Sequence, residues 1–268
     1  MPISLKNVSK SFAGKLVFCN ATMSLRANRP TVIMGRNGCG KSTLLKIIAG
    51  VLAHTEGEIV RRPGIKISYA PDRFPKLPFK VGDYLLHMGR IQGISDSDIN
   101  KYADSQFDRF GIPENIKQQV IYKCSKGTIQ KVNIMQAFLT KPDLLVMDEP
   151  FSGLDESSVE ELIRLLAETS DTAVIISCHE KLLAQRITAD NLYVFDKQSL
   201  VKSSEISNRV SIKIIPGDAG DFFNDKIIST DTAEDMCEIV IEKENLKEIL
   251  FLLLENGHEI YSVNPREC

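Results

Sequence analysis

The segment Gly35-Arg36-Asn37-Gly38-Cys39-Gly40-Lys41-Ser42-Thr43 constrains this chain more than any other. It fits the spacing G-x-x-x-x-G-K-[ST]. It lies between an apolar run, Thr31-Val32-Ile33-Met34, and a helical one, Leu44-Leu45-Lys46-Ile47-Ile48. Glycines at these positions let successive backbone N–H groups turn inward around phosphate oxygens, and the start of a following helix adds partial positive charge. The motif assigns Lys41 to the β- and γ-phosphates of a nucleotide and Ser42 to a magnesium ion.

Other apolar runs end in polar residues of the kind such a loop needs. Leu144-Leu145-Val146-Met147 delivers Asp148-Glu149-Pro150, and Ala173-Val174-Ile175-Ile176-Ser177 delivers Cys178-His179; Asn191-Leu192-Tyr193-Val194-Phe195 follows. Runs this apolar suit strands covered on both faces, as in a parallel α/β sheet built from crossover units. Ligands of such sheets gather at the carboxyl ends of the strands. Asp148 then suits a water-mediated magnesium ligand, and Glu149 can orient or deprotonate an attacking water.

The rest of the chain changes character twice. Up to about Ala27 it alternates as antiparallel strands do, in Ile3-Ser4-Leu5 and Lys15-Leu16-Val17-Phe18. Between Tyr69 and Lys126, Pro71, Pro75 and Pro78 mark an irregular loop leading into a helical insertion. Past Lys202, Val210-Ser211-Ile212-Lys213-Ile214 and Cys237-Glu238-Ile239-Val240-Ile241-Glu242 alternate as strands. Leu246, Ile249, Leu250, Leu253 and Leu254 then repeat at helical spacing, and Ile260-Tyr261-Ser262-Val263 reads as a closing strand. Asn245 with Glu248 resembles a capping box, and Gly257 a helix stop.

Lys+Arg 33 against Asp+Glu 35 gives a net charge of -2, which offers no overall basic field for nucleic acid. Cys19, Cys39, Cys124, Cys178, Cys237 and Cys268 form no Cys-x-x-Cys pair, so they read as free thiols of a reducing compartment rather than a zinc site or a disulfide framework. Met1-Pro2-Ile3-Ser4-Leu5-Lys6 lacks the apolar core of a signal peptide, and no run approaches the roughly 18 apolar residues of a spanning helix. A membrane role is therefore expected through a partner.

With these residues in hand the chain resembles the ATP-binding cassette (ABC) ATPase family over about residues 1–200. Ser152-Gly153-Leu154-Asp155 resembles its D-loop and Ile176-Ser177-Cys178-His179 its switch histidine segment. The signature Leu-Ser-Gly-Gly-Gln stands altered as Cys124-Ser125-Lys126-Gly127-Thr128, with Gln130 and Lys131 fitting the downstream pattern. The resemblance implies a P-loop NTPase core with an antiparallel β subdomain and a helical subdomain at about 73–135. A small β/α accessory domain at 201–268 is read beside it.

By the same resemblance ATP sits on residues 35–43, with Phe12 either stacking on adenine or packed in the core. Magnesium is held by Ser42, Asp148 and Asp72, the last standing where the family has Gln. Lys41, Glu149 and His179 act in hydrolysis, His179 reaching the γ-phosphate. Ser125, Lys126, Gly127 and Asp155 act in trans on the ATP of a second cassette, identical or different. The implied activity is ATP hydrolysis coupled to a separate integral membrane subunit, on the inner face of the cell membrane. The tail near Val263-Asn264-Pro265-Arg266-Glu267 resembles that of drug, polyketide and lantibiotic-type export ATPases and suggests an exporter. A soluble ABC protein of ribosomes or DNA is the alternative; one phosphate loop, no long coil and the net charge weigh against it. Cys39, inside the loop, is expected to react with maleimide and to be protected by nucleotide.

Overall fold

Ala13 and Gly14 both take positive φ (46° and 79°), the geometry of a tight hairpin turn. They join β1 (Ile3–Phe12) to β2 (Lys15–Leu25), with Phe12 opposite Lys15. A computed structural model describes residues 2–27, 30–187, 191–196, 198–203, 209–215, 227–233, 236–256 and 258–265. The chain divides into Met1–Leu200 and Val201–Cys268.

In the first unit β3 (Thr31–Met34) leads through the glycine-rich loop to α1 (Lys41–Ile48). Strand β4 (Glu56–Arg61) pairs antiparallel with β1, and β5 (Ile67–Ala70) enters the irregular segment. Helices α2 (Val81–Ile91), α3 (Asp96–Arg109) and α4 (Lys126–Phe138) follow. Then come β6 (Leu144–Met147), α5 (Glu156–Glu168), β7 (Ala173–Ser177), α6 (Lys181–Ile187) and β8 (Leu192–Asp196), and β9 (Ser199–Lys202) runs across the division at Leu200. The strands lie in the order β4-β1-β2-β9-β8-β3-β7-β6-β5. From β8 to β5 neighbours run parallel, with Val32 opposite Leu192, Thr31 opposite Ile175, Leu144 opposite Ala173 and Ile67 opposite Leu144. β1, β2 and β4 form an antiparallel wing.

Every residue of β3, β6 and β7 is buried because both faces of the parallel part are covered. On β6, Leu144 and Val146 pack towards α1 (Leu44, Leu45, Ile47, Ile48) together with Phe18 and Leu25 of β2. Leu145 and Met147 face the other way, into Val132 and Met135 of α4, Leu162 and Leu166 of α5, and Val81, Leu85 and Phe107 of the helical segment. Each such side chain contributes roughly 1.5–3 kcal/mol by leaving water. The carboxyl ends of β5, β6 and β7 and the loop after β3 therefore open on one edge of a rigid sheet.

The second unit is an antiparallel sheet, β11-β12-β10-β13, of β10 (Arg209–Ile215), β11 (Ile227–Ala233), β12 (Met236–Glu242) and β13 (Glu259–Pro265). Helix α7 (Leu246–Glu255) lays Ile249 and Leu253 on Val210, Ile212, Ile214, Ile239 and Ile241. The capping box expected at Asn245 and Glu248 is not formed. A 3-10 turn over Lys243–Asn245 runs straight into α7, so Asn245 already has helical backbone angles and its side chain makes no cap bond. Gly257, Arg266 and Glu267 lie outside the described residues.

Candidate functional site

The glycine-rich loop wraps around the side chain of Lys41. Its ammonium donates to Gly35 O at 2.7 Å and to Arg36 O at 3.3 Å, and the residue is 6% exposed. Gly40, at φ 114°, precedes α1 where a Cβ would stand 3.1 Å from Val17 and 3.3 Å from Phe18. A Cβ on Gly35 would meet Cys39 Sγ at 2.7 Å, so the thiol lies against the inner side of the loop, towards Phe195. Arg36, Asn37 and Gly38 are exposed, while Ser42 and Thr43 are half-buried in the first turn of α1.

Facing the loop, β6 delivers two carboxylates with different surroundings. Asp148 is buried, and burial raises its pKa; Ser177 and Ser42 donate hydrogen bonds that partly oppose the rise, and the charges of Asp72 and Glu149 add to it. Glu149 turns away from the strand with φ 48°, a conformation a non-glycine residue keeps only when its surroundings impose it. Its N–H donates to Ser177 Oγ at 2.8 Å, and that hydroxyl donates to Asp148 Oδ1 at 2.7 Å. The Glu149 carboxylate then lies 2.9 Å from His179 Nδ1 and 3.6 Å from Lys41 Nζ. Lys41, Glu149 and His179, taken from three separate segments, converge on one point.

Among the described residues no group of three or more His, Cys, Asp and Glu could hold a metal ion by itself. Ser42 and the buried Asp148, with Asp72 close enough to influence it, supply hard oxygen donors on one side only. That set fits magnesium, which keeps waters and substrate phosphates among its six ligands. Asp72 is partly exposed and is 3.9 Å from Arg73 Nε. Phe12 is 48% exposed, which excludes the core placement left open above, and Lys10 Nζ lies 4.6 Å over its ring.

The altered signature forms the start of α4. Ser125 is its N-cap, accepting from Thr128 N at 3.1 Å. Gly127 packs so tightly that a Cβ would stand 2.8 Å from Gly153 O, and Lys126 Nζ donates to Ser152 Oγ at 3.2 Å. Asp155 caps α5, accepting from Ser158 N at 2.9 Å, and pairs with Lys131 at 3.0 Å. Hydrogen bonds from Ser158, then Lys131 and Ser157, hold its carboxyl well below the usual range. Signature and D-loop residues thus contact each other within one chain, and Ser152 and Gly153 line one cavity with Glu149 and His179.

Two contributors escaped the sequence reading. The Ser177 hydroxyl joins Asp148 to Glu149, and the only hint was a serine ending an otherwise apolar strand. Gln130 donates to Pro150 O at 2.9 Å behind Glu149; it stood in the pattern after the signature, but its partner is twenty residues away.

A strand, phosphate loop and helix facing an acid pair at the end of the next strand but one define a P-loop nucleotide hydrolase. The chain belongs to the ABC transporter family, whose model matches residues 18–152, and its first unit is an ATPase cassette of that family. The zinc import ATP-binding protein ZnuC of Rickettsia conorii is 34% identical over 184 residues, covering 66% of this chain and 76% of the relative. An uncharacterized ABC transporter ATP-binding protein, YhaQ of Bacillus subtilis, is 27% identical over 273 residues, covering 94% of this chain and 90% of the relative. The structure of an ATP binding subunit of an ABC transporter matches with a TM-score of 0.69 at 22% identity, covering 77% of this chain and 92% of that one. The dimeric structure of a bacterial ABC transporter cassette matches with a TM-score of 0.65 at 22% identity, covering 75% and 98%. The exporter direction expected from the tail gains no support here, since the ZnuC relatives are named for import. No helix among the described residues is long and apolar enough to cross a membrane.

Proposed function

We propose that this chain is the energy-coupling subunit of a membrane transporter, closing on a second cassette when ATP binds and reopening after hydrolysis. The observation that carries this reading is the grip on Glu149, held between His179 at 2.9 Å and Lys41 at 3.6 Å at the edge of the sheet.

In this reading Phe12 stacks on adenine, residues 35–43 cradle the phosphates, and Lys41 leaves Gly35 O to neutralise the transferred phosphoryl group. Ser42, Asp148 and Asp72 are the residues that would hold magnesium, which would supply neutralisation of the phosphate charge. Glu149 orients the attacking water and accepts its proton. His179 holds the Glu149 carboxylate and reaches the γ-phosphate. Little covalent chemistry is asked of the protein, so the work is positioning and electrostatics.

Ser125, Lys126, Gly127 and Asp155 act on the ATP of the second cassette, which is a copy of this chain or a related one. Lys126 adds positive charge beside phosphate, and the capped start of α4 presents backbone N–H groups. The working location is the inner face of the cell membrane, reached through an integral membrane subunit that docks on the Asp72 side of the helical segment. The same closure and reopening serve uptake or export, so the membrane subunit sets both substrate and direction.

Two measurements test this. Glu149→Gln should bind ATP while turnover falls by about 10²–10⁴-fold, the usual worth of a positioned base; near-normal hydrolysis would remove Glu149 from that role. The chain pulled from detergent-solubilised native membranes should bring a polytopic membrane protein in stoichiometric amount. Ribosomes or DNA-repair proteins in its place would end the transporter reading and leave the ATPase intact.

A further inference from the structure

Helix α4 carries a stripe of amides where a helix packed on a sheet ordinarily carries apolar side chains. Gln130, Asn133 and Gln136 stand three residues apart and so share one face. Gln130 is 5% exposed and Asn133 wholly buried, and amides at such depth are tolerated only when hydrogen-bonded. Each finds a backbone carbonyl just beyond or at the end of β5 or β6. Gln130 Nε2 donates to Pro150 O at 2.9 Å and lies 3.4 Å from Glu149 O; Asn133 Nδ2 donates to Pro71 O at 2.8 Å; Gln136 Nε2 donates to Tyr69 O at 3.3 Å. The amides also meet one another, Asn133 Nδ2 lying 3.5 Å from Gln130 Oε1 and Gln136 Nε2 3.5 Å from Asn133 Oδ1.

The acceptors belong to the two turns that matter for hydrolysis. Pro71 precedes Asp72, and Pro150 follows Glu149, whose left-handed backbone needs support from its surroundings. One turn further towards its start, α4 holds the same segment again through Gly127 against Gly153 O and Lys126 on Ser152. The signature helix is therefore bonded to both site-bearing turns of its own chain.

We propose that Gln130 and Asn133 are positioning residues for hydrolysis, Gln130 fixing the backbone from which Glu149 projects and Asn133 the backbone that carries Asp72. The proposal rests on the reading of Glu149 as the group that orients water. Both amides are buried on backbone carbonyls of their own chain, so their loss should slow turnover without weakening binding, which the phosphate loop supplies.

The test uses the full chain. Gln130→Met keeps the length and removes the donor. Its kcat should fall about tenfold, the rate equivalent of one lost hydrogen bond, while KM for magnesium-ATP stays within twofold. Gln130→Glu restores a donor only when its carboxyl is protonated, so its kcat relative to the unmodified chain should recover as pH falls from 8.5 to 6, with the folded fraction followed by circular dichroism at each pH. Asn133→Asp should behave in the same way. Native kcat in folded Gln130→Met would overturn the proposal, as would a Gln130→Glu defect that follows only the folded fraction. Glu149→Gln run alongside separates the two failures. Normal turnover there removes the base itself, whereas an inactive Glu149→Gln beside a fully active Gln130→Met removes only the positioning role.

Discussion

Ser177 Oγ stands 2.7 Å from Asp148 Oδ1, and the same oxygen accepts the N–H of the next residue, Glu149, at 2.8 Å. One buried hydroxyl therefore fixes both acids across the β6–β7 boundary. In Ser177→Ala the Glu149 N–H is left without this acceptor, which should cost about 1–3 kcal/mol of stability by denaturant unfolding. Steady-state ATP hydrolysis should fall roughly tenfold as Glu149 loosens. Unchanged turnover and stability would show that the hydroxyl supports neither acid.

Asp148 carries a stability cost, one that the magnesium-holding role proposed for it would explain. Burial raises its folded pKa, so the folded chain binds protons more readily than the unfolded one, and stability falls as pH rises from the ordinary carboxylate range through the raised value. The cost is complete above that value and vanishes well below about 3.9, the ordinary Asp pKa. Asp148→Asn should therefore raise the thermal midpoint at pH 7.5, lose that advantage in acid, and be deficient in magnesium-dependent hydrolysis. A lower midpoint at pH 7.5 would mean that the hydrogen bonds from Ser177 and Ser42 outweigh desolvation.

Gly127 is required by close packing. A methyl there would stand 2.8 Å from Gly153 O, and both neighbours are backbone, so the start of α4 and the turn after Glu149 must separate. Gly127→Ala should destabilise by about 1–3 kcal/mol, as overpacking does, and should impair ATP-dependent pairing of cassettes measured by size-exclusion chromatography. Full pairing by a chain of native stability would show that the helix start shifts freely.

Cys39 Sγ lies on the inner side of the phosphate loop, against Gly35. A maleimide adduct there would add bulk inside the loop, so labelling should abolish hydrolysis, and saturating ATP should slow it. Cys178 offers a contrast in the same experiment: burial pushes its thiol up to about 11, and it should label far more slowly at pH 8. Equal labelling of Cys39 with and without ATP would dissociate it from the nucleotide.

The parts legible in the sequence are those whose geometry is written in neighbouring residues. The phosphate loop needs glycine freedom, one lysine and one hydroxyl within nine positions, and Gly35 to Thr43 contain them all. The buried strands ending at Asp148-Glu149 and Ser177-Cys178-His179 were readable because apolar runs must be covered and their first polar residues must emerge at the sheet edge. The Asn245–Glu248 spacing misled for a complementary reason: a cap depends on the incoming backbone angle, and the 3-10 turn before α7 changes it.

By itself, then, the sequence determined the class of chemistry and the α/β frame, since both follow from local pattern. Only the tertiary structure decided which side chains share a partner. It placed β7 beside β6 so that Ser177 could bridge two acids, and packed α4 so that Gln130 and Asn133 reach carbonyls twenty and sixty-two residues away. No spacing rule encodes those contacts, because hydrogen bonds between distant segments form only once burial has fixed the register of the sheet and the rotation of the helix lying on it.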